Sequence, residues 1–130
     1  GTGVDRAGAN EALLDVVGLL DCPVITTGAG RSTVPSDDPN FVYGFGGAGD
    51  EARREADVLL VAGSRIGNLD VPYDKYWGDP SGQGLIQIEI DPVNFGVTRS
   101  LALGIVSFSR TALEGIADRL RASLRAMPGV

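Results

Sequence analysis

The most informative absence in this 130-residue sequence is histidine, which does not occur at all. Without it the chain cannot supply a Ser-His-Asp or Cys-His catalytic arrangement, and a zinc site would lack its usual nitrogen ligands. The single cysteine, Cys22, cannot form an internal disulfide and is interpreted as a small core residue. This cysteine usage fits the reducing environment of the cytoplasm.

Basic residues are also scarce, because 11 Lys and Arg stand against 17 Asp and Glu, for a formal net charge of −6. Nucleic-acid binding draws most of its affinity from clustered Lys and Arg, so a nucleic-acid partner is not expected. No apolar run approaches the roughly 20 residues of a membrane span, and the first residues lack a signal-peptide layout. We therefore expect a cytoplasmic protein without a membrane partner.

The residues that are present are typical of a globular domain, with 43% hydrophobic and 22% charged residues. The length predicts a single domain over residues 1–130. Apolar spacing alternates between helical and extended periods along it. Strands are predicted at 23–27, 41–43, 57–63, 85–90 and 103–106. Helices are predicted at 10–20, at 50–56 with Asp50 as its cap, and from Thr111, where Glu114 completes a capping box.

Strands that alternate with helices predict an α/β fold, a Rossmann-like three-layer domain with a mostly parallel sheet. Ligands of such sheets bind beyond the carboxyl ends of the strands. The turns that follow strands are therefore the candidate site, at residues 27–30, 63–65 and 89–94. These turns contain two acids, Glu89 and Asp91, the amide of Asn94, and several glycines. Such residues could hold a nucleotide or could only form turns.

A series of segments, in order and spacing, resembles the central domain of thiamine-diphosphate-dependent enzymes of the acetolactate synthase and 2-oxo acid decarboxylase type. The segments are GTGVDRAGA, PVITTGAGRSTVPSDDPNF, YGFGGAG, EADVLLVAGSRIG and LIQIEIDP, and the likeness extends to about Leu120. The resemblance implies a fragment of a larger enzyme with flanking domains. One flanking domain would carry the Glu that activates thiamine, and the other would bind the diphosphate and magnesium.

The thiamine-binding Gly-Asp-Gly signature does not occur in this sequence, and the nearest matches are centred on Asp50 and Asp79. The chain alone is therefore not expected to catalyse a reaction. The partners that the resemblance implies are the flanking thiamine-binding domains and sister subunits of a homo-oligomer.

Central domains of this family hold FAD in acetolactate synthases, ADP in oxalyl-CoA decarboxylases and no nucleotide in many others. All three outcomes stay open for this chain. The flavin contacts that the resemblance implies are Gly1, Gly3, Thr27, Gly28, Ala29, Gly44, Gly63, Ser64, Arg65, Glu89, Ile90 and Asn94. Arg65 could pair with a pyrophosphate, and Glu89 could accept hydrogen bonds from a ribose or an adenine amine.

Other interpretations of these residues remain open. Gly28 and Gly30 suit a tight turn, Arg65 could pair with a nearby carboxylate, and Glu89 could be a solvated strand end. Asp91 followed by proline is typical of a turn. The aromatic residues Tyr73, Tyr76 and Trp77 could cover a cofactor or pack against a neighbouring domain.

Two segments depart from the family. Ser107-Phe108-Ser109 stands where Gly-Asp-Ala is usual, so that Phe108 replaces an acid that helps to hold adenine. Residues 66–69 lack the charged groups of flavin binders.

A strand that the family places before the first glycine turn is also missing, so we expect additional residues, strand rearrangement or another chain to replace it.

Two rival functions are a nicotinamide-dependent Rossmann oxidoreductase and a regulatory nucleotide-binding module. The nicotinamide fingerprint requires a third glycine where this chain has Arg6, and an acid at the end of the second strand where it has Thr26 and Thr27. The sequence therefore favours the thiamine-enzyme interpretation.

Overall fold

The computed structural model describes residues 1–44, 46–67 and 76–128. Its helices are α1 (Thr2–Arg6), α2 (Asn10–Leu20), α3 (Gly47–Glu55) and α4 (Ser109–Ala126). Its strands are β1 (Val58–Ala62), β2 (Gly84–Glu89) and β3 (Leu103–Val106). Short 3₁₀ turns cover Arg31–Thr33 and Pro92–Asn94. The predicted α/β class is confirmed, whereas α1 was not predicted.

The strands form a parallel sheet in the order β1-β2-β3. The pairing begins with Val58 opposite Gly84 between β1 and β2, and with Ile86 opposite Leu103 between β2 and β3. Val, Ile and Leu dominate all three strands because their side chains pack well on a pleated surface. Since the strands run in one direction, the residues that follow them meet at one edge of the sheet.

The helices α2 and α4 pack against each other and cover one face of the sheet. The core on this face contains Val16 of α2, Ile88 of β2 and Leu113 of α4. Val4 of α1 enters the same core and is fully buried. The unpredicted helix α1 is therefore anchored by one apolar side chain next to the carboxyl edge of the sheet.

The opposite face of the sheet is covered by a second cluster, in which Ile66, Trp77 and Leu85 are buried. The guanidinium of Arg99 lies 4.9 Å from the centre of the Trp77 ring. Both roles considered for Trp77 from the sequence are therefore wrong, because this chain's own core buries it. Tyr73 lies outside the described residues. With helices on one face and this cluster on the other, the domain has the predicted three layers.

The strands predicted at 23–27 and 41–43 are shorter than expected. The structure forms a single parallel bridge between Val24 and Phe41, in which the Val24 N–H donates to the Asn40 carbonyl oxygen at 2.9 Å. Val24 is buried beneath α2 with Val17 and Val34. The apolar run at 23–27 thus reflects core packing. Among the described residues, no further bridge pairs extend the two segments into strands.

The side chains of β1 are more exposed than its continuous apolar sequence predicts. Val58 is 55% exposed, and the central residues of β1 are only partly buried. Near the carboxyl end of β1, the Gly1 amino group donates a hydrogen bond to the Ala62 carbonyl oxygen at 2.8 Å. The Gly3 N–H donates to the Gly63 carbonyl oxygen at 2.9 Å. The expectation that another segment or chain pairs with the edge of β1 that faces away from β2 stays a prediction.

Both predicted helix caps are wrong. The helix α3 begins at Gly47, before Asp50, and the Asp50 carboxylate instead pairs with Arg53 at 3.1 Å. The helix α4 begins at Ser109 with Phe108 as its N-cap residue, and no side chain caps it. Glu114 accepts a hydrogen bond from Arg110 at 2.9 Å. In both helices the acid pairs with an arginine of the same helix instead of capping the helix.

The longest helix, α4, has 18 residues. Neither α4 nor another helix in the described part of the chain has the apolar length needed to cross a membrane.

Candidate functional site

A cleft of about 1010 Å³ lies beyond the carboxyl ends of the strands. Residues that follow each strand line it, together with the beginning of the chain and the loop after Thr26. The lining includes Gly1, Gly3, Arg6, Thr27, Ala29, Gly63, Ser64, Arg65, Glu89, Ile90, Asn94, Val97, Ser107, Phe108 and Ser109. The three turns identified from the sequence therefore contribute to one cavity.

Most of the candidate site residues line this cleft, but Gly28 and Gly44 do not. Gly44 is buried, and a side chain there would meet the Ile25 Cγ2 atom at 2.9 Å. Gly28 is exposed, and a β-carbon there would have no atom within 4 Å. Gly44 is thus required by packing, whereas Gly28 faces open space beside the cleft.

The glycines at the floor of the cleft pack directly against each other. A β-carbon on Gly3 would lie 2.7 Å from the Gly63 Cα atom, which is closer than real contacts allow. Gly63 also has a φ of +64°, in the left-handed region that favours glycine. These glycines let the start of α1 approach the end of β1, so their presence does not by itself indicate a bound pyrophosphate.

A buried glutamine holds two of the cleft loops together. Gln87 of β2 is 1% exposed, and its amide donates to the carbonyl oxygens of Ser64 at 3.0 Å and Asn94 at 3.2 Å. Sequence reasoning missed this role, because Gln87 stands between apolar residues like an outward-facing strand residue. The signal available in the sequence was a long amide in the middle of an otherwise apolar strand.

Two guanidinium groups contribute the positive charge of the cleft. Arg65 and Arg6 are both exposed, and neither forms an ion pair with a described residue. The alternative that Arg65 pairs with a nearby carboxylate is therefore not seen among those residues. Arg6 was missed as a candidate, although its position in place of a third glycine is the signal that could have identified it.

The acidic residues at the end of β2 and in the turn that follows it are engaged in local structure. The Glu89 carboxylate accepts a hydrogen bond from the Asn94 amide at 3.4 Å and is partly buried. The Asp91 carboxylate accepts from the Val93 N–H at 3.0 Å, which confirms the turn interpretation for Asp91 and Pro92. Glu89 keeps further acceptor capacity, because a carboxylate oxygen accepts more than one hydrogen bond.

An apolar group of side chains lies in the same cleft. Ile90 is 55% exposed, Val97 is 59% exposed and Phe108 is 62% exposed, all unusually high for large apolar residues. The cleft thus combines cationic, acidic and apolar surfaces.

Two further expectations concern cysteine and metals. Cys22 is half-buried and does not belong to a core cluster, so its interpretation as a core residue is wrong. Burial raises the pKa of its thiol, and the neighbouring Asp21 carboxylate adds to this rise. Among the described residues, no group of His, Cys, Asp and Glu side chains is arranged to hold a metal ion.

Comparisons with known proteins agree with this architecture. The family described as "Thiamine pyrophosphate enzyme, central domain" matches residues 1–116. The chain belongs to this family and is the central domain of a thiamine-diphosphate-dependent enzyme. This result favours the thiamine-enzyme interpretation over the nicotinamide oxidoreductase.

Individual relatives are also similar to this chain in sequence. Over 122 residues the chain is 33% identical to a sulfoacetaldehyde acetyltransferase of Rhodobacter capsulatus, covering 86% of this chain and 20% of the relative. It is 31% identical over 121 residues to the chloroplastic acetolactate synthase 1 of Zea mays, covering 90% of this chain and 19% of that protein. The chain thus spans about a fifth of the length of these relatives.

A solved structure shows the same fold. It is described as a thiamin diphosphate-dependent enzyme from Mycobacterium smegmatis, and it matches with a TM-score of 0.72 at 24% identity. The match covers 91% of this chain and 23% of that structure's chain.

Proposed function

We propose that this central domain holds the ADP portion of a nucleotide, as FAD or free ADP, within an acetolactate synthase-like enzyme. The observation that carries the proposal is the cleft at the carboxyl edge of the parallel sheet, where Arg6 and Arg65 stand without ion pairs to described residues. A cleft at this edge is the usual ligand site of open α/β sheets.

The residues of the cleft fit the chemistry of ADP. The guanidiniums of Arg6 and Arg65 suit a diphosphate, because guanidinium donors form charge-assisted hydrogen bonds with phosphate oxygens. Glu89 would accept hydrogen bonds from ribose hydroxyls. The volume of about 1010 Å³ lies at the upper end of the range for small-molecule sites. FAD and ADP share this portion, so the same residues would serve either.

Thiamine diphosphate and magnesium are assigned to the flanking domains of the parent enzyme. The nearest matches to the thiamine signature in this chain have local roles. Asp50 pairs with Arg53 of the same helix. Asp79 accepts hydrogen bonds from the Ser81 N–H and hydroxyl, which hold the pKa of its carboxyl below the usual value. The proposal therefore gives this chain no catalytic residue of its own and no activity in isolation.

A second candidate is a purely structural domain that binds no nucleotide. The close packing of Gly3 against Gly63 favours it, because that contact explains the glycine turn without a ligand. Arg6 and Arg65, which form no ion pair with a described residue, are the feature that a structural role leaves unexplained.

The proposed partners are the flanking domains and sister subunits of a homo-oligomer, in the cytoplasm. An apolar groove of about 410 Å³ between β3 and α4 supports such contacts, with Ile105, Ile116 and Leu120 in its lining. Leu103 and Val106, at the two ends of β3, are more than half exposed.

Thermal unfolding of the purified chain tests the nucleotide proposal. ADP and FAD should each raise the melting temperature in a concentration-dependent way, since a ligand that binds the folded state stabilises it. Thiamine diphosphate should have no effect. The variants Arg6→Ala and Arg65→Ala should reduce the ADP response, whereas Arg125→Ala, an exposed arginine of α4 outside the cleft, should not.

The absence of any ADP or FAD response would support the structural candidate. A response to NAD larger than the response to ADP would instead favour a nicotinamide-binding role.

A further inference from the structure

We propose that Phe108 provides the face on which the purine base of the nucleotide stacks, with Ile90 and Val97 as the apolar surroundings of the base. This inference rests on the proposed nucleotide function and assigns the base to one end of the cleft. It gives a role to a residue that stands where the resembling family carries an acid.

The order of the strands places the chemical groups in a row. Arg65 follows β1, Glu89 ends β2 and Phe108 follows β3, in a sheet of order β1-β2-β3. Neighbouring strands are about 4.8 Å apart, so the ends of β1 and β3 are separated by about 10 Å. A nucleoside diphosphate that crosses this edge would have its phosphates at Arg65, its ribose at Glu89 and its base at Phe108.

The exposure of the apolar residues that line the cleft requires an explanation. Phe108 is 62% exposed, and Ile90 and Val97 are each more than half exposed, although all three line one cleft. Grouped apolar side chains in a concave site typically receive an apolar part of a ligand. The purine ring is the apolar part of ADP, and every base offers a π-face to an aromatic ring.

The main chain at Phe108 is held in place before any ligand binds. Its carbonyl oxygen accepts a hydrogen bond from the Ser107 hydroxyl at 2.8 Å and another from the Ala112 N–H at 3.2 Å. Phe108 therefore sits at a fixed point, as the N-cap residue of the 18-residue helix α4. Only its side chain needs to adjust to the base.

Stacking on a phenyl ring has a consequence for selectivity. A carboxylate in this position would accept a hydrogen bond from the exocyclic amine of adenine and would discriminate against guanine and hypoxanthine. A phenyl ring has no acceptor and stacks on any purine. We therefore expect GDP and IDP to bind with affinities within about tenfold of ADP, a free-energy difference of about 1.4 kcal/mol.

Calorimetric titration of the Phe108→Ala variant tests the inference. Its affinity for ADP should be about tenfold weaker than that of the unaltered chain, which is within the range for loss of one base–aromatic stack. Its affinity for inorganic pyrophosphate should be unchanged, because pyrophosphate has no base. Phe108→Trp should retain or increase ADP affinity.

The matched control is Val106→Ala, which truncates a residue that is 59% exposed on β3 but does not line the cleft. It should leave ADP affinity unchanged. Because Phe108 is largely exposed, its alanine variant should melt close to the unaltered chain, and this melt is measured without ligand.

If the unaltered chain binds ADP and Phe108→Ala binds it equally well, the stacking inference is overturned while the nucleotide proposal stands. An equal loss of pyrophosphate affinity would also overturn it, since Phe108 would then act on the anion site or on the fold. If the unaltered chain binds neither ADP nor FAD, the nucleotide proposal itself fails.

Discussion

The side-chain amide of Gln87 donates a hydrogen bond to the main-chain carbonyl oxygen of Ser64, at 3.0 Å. The same amide donates to the carbonyl oxygen of Asn94 at 3.2 Å. The loop after β1 and the loop after β2 are thus joined through one buried side chain in the sheet. The shape of the cleft depends on this amide, although Gln87 itself does not line the cleft.

We expect Gln87→Leu to lower the free energy of unfolding by about 1–3 kcal/mol, because the buried carbonyl oxygen of Ser64 and the partly buried one of Asn94 lose their donor. Since the loops of Ser64 and Asn94 would no longer be joined, ADP affinity should fall as well. Urea unfolding and calorimetric titration measure the two effects.

Gln83 offers a matched control at the opposite end of β2. Its amide donates to the carbonyl oxygens of Arg53 at 2.7 Å and Ala56 at 2.8 Å, far from the cleft loops. Gln83→Leu should lower stability by a similar amount, about 1–3 kcal/mol, and leave ADP affinity unchanged under conditions where the chain stays folded. Equal losses of affinity in both variants would show that Gln87 acts through stability alone.

The contact between Gly3 and Gly63 predicts a severe effect of a single methyl group. In Gly3→Ala the new β-carbon would lie 2.7 Å from the Gly63 Cα atom. The atoms that it meets belong to the main chain, so no flexible side chain can rotate away to relieve the contact. Overpacking of this kind typically costs about 1–3 kcal/mol. Chemical denaturation of the variant measures the loss.

Gly18→Ala is the comparison for this change. Gly18 lies within α2, and a β-carbon there would meet no atom within 4 Å. Alanine should stabilise the chain by roughly 0.5–1 kcal/mol, because it favours the helix over the unfolded state. A Gly3→Ala variant as stable as the unaltered chain would contradict the packing described at the cleft floor.

The thiol of Cys22 should react slowly with iodoacetamide in the folded chain. Burial raises its pKa, so the fraction of reactive thiolate at neutral pH is lower than in the unfolded chain. Alkylation rates measured from pH 7 to 10, with and without urea, should give a midpoint at higher pH for the folded chain. A folded midpoint at or below the unfolded one would contradict the described environment.

The parts of the fold that could be predicted were those determined by local pattern. The branched run of β1 and the helical spacing of Leu13, Val16 and Val17 led to elements at nearly their observed bounds. Because parallel strands share one carboxyl edge, the position of the candidate site also followed from the sequence. The sequence alone therefore indicates the residues after each strand as the candidate site.

The parts that could not be predicted depend on tertiary contacts. Val24 lies in an apolar run that looks like a strand, yet its packing beneath α2 rather than a ladder explains its burial. Trp77 resembled an interface aromatic, but the chain's own core encloses it. The role of Gln87 depends on hydrogen bonds to the loops of Ser64 and Asn94, and the apolar periodicity of the strand does not reveal such a link.

Amide chemical shifts of the ¹⁵N-labelled chain, followed during an ADP titration, measure whether the carboxyl edge of the sheet binds a nucleoside diphosphate. Binding at this edge should give saturable shifts at Arg65, Glu89 and Phe108, with the amides of α3 unchanged. Shifts confined to residues outside the cleft, or no shifts at millimolar ADP, would contradict it.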